Sequence, residues 1–245
     1  MNDYYLHKIQ NAVKHFWISR ESARQKQISM GKVDQGERAS VTGGSNMDGF
    51  IEIFEEIVYR IDRNIIVDRH KGCLALPGYF RPTKLWDILI SYKGELLAAI
   101  ELKSQVGPSF GNNFNNRSEE AIGTALDFWT AYREKAFGGQ PAPFLGWLVL
   151  VEDTIGSRSA VRCDGSRYQV FPEFIGACYL ERYKILCEKL MFERSYTSTA
   201  LIASPKSAVI DGAFCNISEM TSINSFLQSF SSHIGSSFAR LNASW

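Results

Sequence analysis

The sequence predicts an α/β fold in which a mixed sheet is flanked by helices, with additional helices near the N and C termini. Residues 47–62 place apolar side chains at helical spacing, and a second helix is predicted to begin at Ser118 and to end at Phe137, before two glycines. Between these helices lie two apolar, strand-like runs joined by a turn at residues 93–95, and residues 144–151 form a further buried strand. A helix, strands, a helix and a strand in this order are typical of a layered α/β sandwich.

Five further segments complete the predicted organisation. Residues 4–17 and 65–67 have the spacing of a helix and of a strand respectively, and helices are also predicted over residues 172–194 and 217–241. Residues 19–46 are polar, contain five basic side chains and favour a mobile loop. The alternative for this segment is an arm that orders along the phosphates of a nucleic acid.

Length and composition indicate one soluble domain. The chain has 245 residues, of which 45% are hydrophobic and 22% charged, and this length can bury a full core. Five cysteines are scattered without C-x-x-C spacing, so neither a disulfide framework nor a zinc site is predicted, and a reducing cytoplasm is favoured. No apolar run approaches the length that crosses a membrane. The net charge of +1 permits nucleic-acid binding through a local basic stripe without indicating it.

The candidate catalytic residues lie at one end of the predicted hairpin over residues 87–105. Glu101 and Lys103 are two residues apart on one strand, so their side chains project from the same face. Asp87 joins that face if it lies opposite Glu101, which requires a three-residue turn at 93–95 or a bulge with the same effect. We predict this register, because a shift of one residue would turn Asp87 away.

Two carboxylates held together repel each other unless a cation lies between them, and Mg²⁺ prefers oxygen ligands. The pattern therefore predicts a metal-dependent phosphodiesterase in which Asp87 and Glu101, with the carbonyl of Leu102, hold magnesium. Lys103 is predicted to orient or deprotonate the attacking water and to stabilise the transition state. The alternative is an acid–base pair on a solvated sheet edge. The four histidines lack paired ligand spacing, which weighs against a zinc-dependent nuclease.

The motif of this hairpin resembles that of the PD-(D/E)xK nuclease superfamily. Trp86-Asp87 stands in place of the Pro-Asp pair, and Glu-Leu-Lys at 101–103 corresponds to (D/E)xK. Three longer stretches resemble the XhoI family of Type II restriction endonucleases. They are VTGGSNMDGFIEIF (41–54), IELKSQVGPSFGNNFNNRSEEAIGTALDFW (100–129) and PFLGWLVLVED (143–153). The resemblance implies a restriction-endonuclease-like fold.

We accordingly expect a single nuclease domain over residues 1–245. Its parts would be an N-terminal helix and polar loop (1–46), a catalytic core (47–153) and a mainly helical DNA-contact or dimerisation region (154–245). The resemblance also places Glu55, on the helix before the sheet, as an additional catalytic acid, with a solvated acidic face as the alternative.

The resemblance further implies the reaction and its partners. The protein would be a Mg²⁺-dependent homodimer that cuts both strands of double-stranded DNA at CTCGAG and leaves 5′-phosphates. A cognate DNA methyltransferase would be its functional counterpart. Two rival functions stay open, namely a PD-(D/E)xK nuclease of DNA repair or recombination and a catalytically inactive DNA-binding module.

Glycine and asparagine dominate the segment after the hairpin, and asparagine and arginine can pair with base edges in the major groove. Residues 106–117 are predicted to form a loop whose DNA-contacting side chains are Asn112, Asn113, Asn115, Asn116 and Arg117. Gln105, two residues beyond Lys103, is expected to point into the site as well. The candidate phosphate contacts of the 154–169 loop are Arg158, Arg162 and Arg167. For both segments the alternative is a solvated loop, in which the asparagines serve as turn residues.

Overall fold

The computed structural model describes residues 3–29, 44–70, 72–163 and 166–243. The helices are α1 (Asp3–Ser29), α2 (Asp48–Ile61), α3 (Phe110–Arg133), α4 (Ile155–Arg158), α5 (Tyr179–Phe192) and α6 (Ile223–Asn242). Short 3₁₀ turns lie at Gly44–Met47, Pro172–Phe174 and Lys206–Val209. The strands are β1 (Ile66–Asp68), β2 (Ala75–Pro77), β3 (Thr83–Leu85), β4 (Ile88–Tyr92), β5 (Glu95–Gln105), β6 (Phe144–Glu152), β7 (Ser198–Ser204) and β8 (Cys215–Asn216).

Six of these strands form one mixed sheet in the order β1-β4-β5-β6-β7-β8. β5, β6 and β7 run parallel to one another, whereas β4 and β1 on one side and β8 on the other pair antiparallel. β2 and β3 form a separate two-stranded hairpin. The mixed sheet, its flanking helices and the helices near both ends confirm the predicted fold class.

Helices cover both faces of the sheet, and successive residues of each strand contribute to opposite faces. On one face, Phe54 of α2 and Phe230 of α6 pack in the cluster that contains Ile100 of β5, together with α1. On the other face, Phe128 of α3 packs with Ala99 of β5, together with α5. We call these the α1/α2/α6 face and the α3/α5 face. β6 is buried along its whole length, as expected for a parallel strand enclosed on both faces.

The β4–β5 hairpin has the predicted register, and a bulge produces it. Its turn contains only residues 93–94, both with positive φ (49° and 82°), as in the tight type I′ turns of hairpins. A bulge in the middle of the pair then shifts the ladder by one residue, so that Ile88 pairs with Ile100. Asp87, the residue before β4, therefore lies opposite Glu101. The two-residue turn alone would have turned Asp87 to the other face.

Two helices extend beyond their predicted bounds. α1 continues to Ser29, through the first part of the segment predicted to be a polar loop, while residues 30–43 of that segment lie outside the described residues. α3 begins at Phe110 rather than at Ser118, so the asparagine-rich segment is helical and the predicted loop is wrong. Phe110 stacks on Tyr179 of α5 with ring centroids 5.7 Å apart. This tertiary contact stabilises helical turns whose glycine and asparagines have low helix propensity.

The C-terminal third also completes the sheet, with two strands that the sequence analysis did not predict. β7 is fully buried between β6 and β8, although serine and alanine make up most of it. The predicted helix 172–194 is divided into a 3₁₀ turn and α5. The last helix begins only after Ser222, which caps α6 by accepting a hydrogen bond from the amide of Ser225. No helix in the described part of the chain combines the length and apolar character that a membrane span needs.

Candidate active site

Three predicted side chains meet on the α3/α5 face, where β4 begins and β5 approaches its end. The Lys103 ammonium contacts Oε1 of Glu101, as their spacing along β5 predicts. Asp87 lies beside them, and its Oδ2 accepts a hydrogen bond of 2.7 Å from the backbone amide of Leu102. The structure thus brings Asp87, Glu101 and Lys103 to one place, which we call the carboxylate centre.

A second lysine completes this centre, and the sequence analysis did not predict it. Lys84 of β3 donates from Nζ to Oε2 of Glu101 at 2.6 Å and to the carbonyl of Leu85 at 3.0 Å. Its ammonium lies 4.5 Å from a ring centroid of Trp86, and its side chain is only 11% exposed. Both oxygens of the Glu101 carboxylate are therefore held by ammonium groups. In the sequence, the only indication that Lys84 belongs to the centre is its position three residues before Asp87. Many exposed lysines lie as close to an acidic residue, so this spacing is not specific.

Burial and neighbouring charges determine the protonation of the centre. Burial raises the pKa of Glu101, but the ammonium groups of Lys103 and Lys84 outweigh it, so the pKa is lowered. Burial lowers the pKa of Lys103, but the carboxylates of Glu101 and Asp87 outweigh it, so the pKa is raised. For Asp87, burial and then the charge of Glu101 raise the pKa above its ordinary value. Lys103 is therefore a charged donor at neutral pH, and a cation would favour the ionised form of Asp87.

The oxygen atoms of the centre suit a divalent cation. Within the described part of the chain, no group of three or more His, Cys, Asp or Glu side chains is arranged to hold a metal ion. Asp87 and Glu101 supply two carboxylates, and the carbonyl of Leu102 points to the same strand edge as the amide that Asp87 binds. A hard cation such as Mg²⁺ suits this small oxygen set, because it keeps several of its waters when bound.

Glu55, the predicted additional acid, has another partner. It lies on α2, which packs on the α1/α2/α6 face, and its carboxylate is 3.1 Å from Nη1 of Arg69. The contacts described for the carboxylate centre involve Lys84 and the amide of Leu102, and Glu55 is not among them. Its contribution to metal binding stays a prediction.

The predicted DNA-contacting asparagines lie on the first two turns of α3, which begins shortly after β5 ends. The exposed ones are Asn112, Asn115 and Asn116, and Asn113 is half-buried. Arg117 is half-buried, and its Nη1 lies 2.6 Å from Glu120, while its Nε is buried without a hydrogen-bond partner among the described residues. The positive charge of Arg117 has a small lowering effect on the pKa of Lys103, which the carboxylates of Glu101 and Asp87 outweigh.

Gln105 forms internal contacts instead of facing the solvent. Its side chain lies on the same face as Lys103, as predicted, but it is only 1% exposed. Oε1 accepts a hydrogen bond of 3.3 Å from the hydroxyl of Tyr183, and Nε2 donates to the carbonyl of Val106 at 3.1 Å. This burial under α5 argues against the predicted DNA contact. Gln105 instead ties the end of β5 to α5.

The three arginines of the segment after β6 differ in their contacts. Arg158 binds Asp153 through two bonds, from Nε to Oδ1 at 2.5 Å and from Nη2 to Oδ2 at 2.7 Å. This pairing neutralises its charge and weakens the case for a phosphate contact. Arg162 and Arg167 are exposed, as a phosphate contact requires. Their binding to DNA stays a prediction.

Comparison with known proteins identifies the family. The family described as restriction endonuclease XhoI matches residues 26–216, which include the whole carboxylate centre. The Type II restriction enzyme BstVI of Geobacillus stearothermophilus is 43% identical over 220 residues, 86% of this chain and 96% of that protein. The Type II restriction enzyme XhoI of Xanthomonas vasicola is 52% identical over 184 residues, 74% of this chain and 73% of that protein. AbrI of Azospirillum brasilense, also a Type II restriction enzyme, is 56% identical over 154 residues, 61% of this chain and 67% of that protein. No solved structure matches the chain.

The XhoI family and the enzyme BstVI each match most of the length of this chain. The chain therefore belongs to the XhoI family of restriction endonucleases.

Proposed function

We propose that this Type II restriction endonuclease binds Mg²⁺ at the carboxylate centre, hydrolyses both strands of double-stranded DNA at CTCGAG and leaves 5′-phosphates. The observation that carries the proposal is the meeting of Asp87, Glu101 and Lys103 on one face of the β4–β5 hairpin. Family membership supports the reaction class. The resemblance of the long sequence stretches to the XhoI family supports the recognition sequence.

Two carboxylates and one carbonyl would hold the cation. Asp87 and Glu101 face each other across the ladder, and Leu102 contributes its carbonyl from between the two catalytic positions of β5. When bound, the cation supplies positive charge to the attacking water and to the scissile phosphate. Burial and the neighbouring charge of Glu101 raise the pKa of Asp87. The positive charge of a bound cation would favour the ionised form of both carboxylates and so oppose this effect.

Lys103 would position the water and stabilise charge in the transition state. Although burial lowers its pKa, the Glu101 and Asp87 carboxylates raise it more, so Lys103 keeps its proton at neutral pH. An ammonium can donate to the attacking water or to a phosphate oxygen, but it cannot accept a proton. Of the two roles predicted for Lys103, its protonation favours orientation over general-base catalysis.

A homodimer suits the proposed recognition sequence, because CTCGAG is a palindrome and each protomer carries one centre for one strand. A cognate DNA methyltransferase would protect the host's own copies of the sequence. The proposal includes a cytoplasmic location, since the five cysteines are all free and a reducing compartment keeps them so.

Plasmid digestion tests the proposal. The protein and Mg²⁺ are incubated with a plasmid that carries one CTCGAG and with a plasmid in which one base pair of that sequence is changed. Linearisation of the first plasmid alone, with 5′-phosphates at ends located by sequencing, supports the proposal. Nicking that follows DNA structure would support a nuclease of repair or recombination, and binding without cleavage would support an inactive module. Asp87→Ala is expected to bind without cutting, and equal cutting by this variant would contradict the assignment of the centre.

A further inference from the structure

The β2–β3 hairpin connects the carboxylate centre to the protein surface. We call residues 75–85 the arm. At its base, Lys84 contacts Glu101. At its tip, Tyr79 is 56% exposed and Phe80 is 66% exposed, and their rings form an edge-to-face pair with centroids 5.3 Å apart. The two adjacent rings form a contiguous apolar patch, and covering such a patch with a partner would release its surface from water.

One buried carboxylate holds the tip in its outward conformation. Asp127 of α3 is 4% exposed. Its Oδ1 accepts hydrogen bonds from the backbone amides of Tyr79 at 2.7 Å and Phe80 at 2.8 Å, and its Oδ2 accepts one from Nε of Arg81 at 2.7 Å. A Cβ atom at Gly78 would lie 2.5 Å from Oδ2 of Asp127, so this close approach requires glycine. The two rings therefore face the solvent because the backbone beneath them is fixed.

The position of the tip favours DNA as the partner. Lys84 lies four positions after Phe80, so the Cα atoms of these two residues are at most about 13 Å apart, at roughly 3.3 Å per residue. The grooves of a duplex are about 6 and 12 Å wide, so DNA with a phosphate at the centre passes within reach of the tip. Arg81 lies beside the rings, but Asp127 balances its charge, so DNA binding here would depend on the position of the tip and on its two rings. Exposed apolar and aromatic side chains are recurrent contacts for nucleic-acid bases.

We propose that the arm is a DNA-contacting element, in which Tyr79 and Phe80 contact the groove next to the cleaved phosphate. Lys84, on the second strand of the same hairpin, links this contact to Glu101. The proposal rests on the binding of DNA at the carboxylate centre. It adds a contact surface that is separate from α3 and from the arginines after β6.

Binding measurements on matched variants test the arm. Phe80→Ser is compared with Phe192→Ser, because Phe192 at the end of α5 is 65% exposed and lies in another part of the fold. A labelled duplex carries the sequence found at the ends of the parent's own fragments, and Ca²⁺ replaces Mg²⁺ to prevent cleavage. By fluorescence anisotropy, Phe80→Ser is expected to bind about tenfold or more weakly, as for loss of one stacked aromatic ring. Phe192→Ser is expected to bind as the parent does.

Two further measurements separate the possible failures. Asp127→Asn keeps both rings but weakens the bonds that fix them, so it is also expected to bind DNA more weakly at an unchanged fold by circular dichroism. Equal binding by the parent and Phe80→Ser would overturn the arm proposal and leave the proposed function standing, because the parent still binds. Conversion of a dimer to a monomer by Phe80→Ser, seen by sedimentation, would also overturn it, since the tip would then be a protein interface. Failure of the parent itself to bind or cut DNA would contradict the proposed function.

Discussion

Replacing Lys84 with methionine is expected to raise the affinity of the DNA-free protein for a divalent cation by about tenfold to a hundredfold. Lys84 and Lys103 each hold one oxygen of Glu101, so a cation at the centre has to displace an ammonium. Lys84 is the lysine that gives way, because it reaches Glu101 from a separate hairpin, whereas Lys103 lies on the same strand. Methionine keeps an apolar stem against Trp86 and removes the competing charge, together with the hydrogen bond to the carbonyl of Leu85.

The expected magnitude follows from the charge that is removed. A divalent cation and an ammonium 4 Å apart repel each other by about 8 kcal/mol at an effective dielectric constant of 20, twice the value for two unit charges. This value is an upper bound for the change, because the Lys84 side chain can rotate away from a bound cation. If between a sixth and a third of the repulsion persists, the gain is roughly 1.4–2.8 kcal/mol, which corresponds to a factor of ten to a hundred.

Mn²⁺ is a suitable probe, titrated into the protein without DNA. Calorimetry gives the affinity, and the rise in melting temperature with Mn²⁺ gives an independent measure of binding. Lys206→Met is the matched control, because Lys206 lies 3.5 Å from the buried carboxylate of Glu152, outside the carboxylate centre. The control is expected to bind Mn²⁺ as the parent does. A folded Lys84→Met protein with unchanged or weaker Mn²⁺ affinity would refute the competition between Lys84 and the cation.

Three other substitutions have defined outcomes. Lys103→Met is expected to slow single-turnover cleavage by about a hundredfold to a thousandfold while DNA binding in Ca²⁺ persists, because the charge acts in the transition state. Asp87→Asn is expected to weaken Mn²⁺ binding in calorimetry and to abolish cleavage, since an amide replaces a carboxylate ligand. Asp127→Asn is expected to lower the free energy of unfolding at pH 7 by about 1–3 kcal/mol. Burial raises the pKa of Asp127, but the amide of Phe80 and the guanidinium of Arg81 outweigh it, so the pKa is lowered. The Asp127 contribution is therefore present above its ordinary pKa of 3.8 and is lost as the pH falls through the lower folded value. Urea unfolding should show that the free energies of unfolding of the parent and Asp127→Asn become equal as the pH falls below the folded pKa of Asp127. A difference that stays constant with pH would contradict the ionised Asp127 carboxylate as the source of the stability.

The carboxylate centre is predictable from sequence because it depends on local rules. A period of two places Glu101 and Lys103 on one face, whatever the rest of the fold does. Asp87 lies on the same face only if it is opposite Glu101. That register requires a three-residue turn or a bulge, so one of the two is predicted from the sequence. The structure has the bulge, together with a two-residue turn that Gly94 permits by its positive φ.

The elements that were not predicted depend on contacts between distant parts of the chain. Lys84 lies 17 residues from Glu101, on a hairpin whose docking no local pattern specifies. The first turns of α3 are helical because Phe110 packs on Tyr179, 69 positions later in the sequence, which overrides the turn-forming tendency of the asparagines. β7 is a strand because it is enclosed by its neighbours, since its serines and alanines have little strand propensity of their own.

The charges around the centre also explain how a chain with a net charge of +1 can bind DNA. Lys84 and Lys103 bring two positive charges to the two carboxylates of Asp87 and Glu101, while Arg117 is paired with Glu120. The centre is therefore formally neutral without a metal ion, and a bound divalent cation would make it positive. Because these groups are largely buried, salt screens them less than it screens surface charges. A phosphate at the centre would meet a positive potential once the cation is bound, even though the chain as a whole is almost neutral. Attraction for DNA thus depends on where these four charges and the cation lie, and the overall composition conceals it.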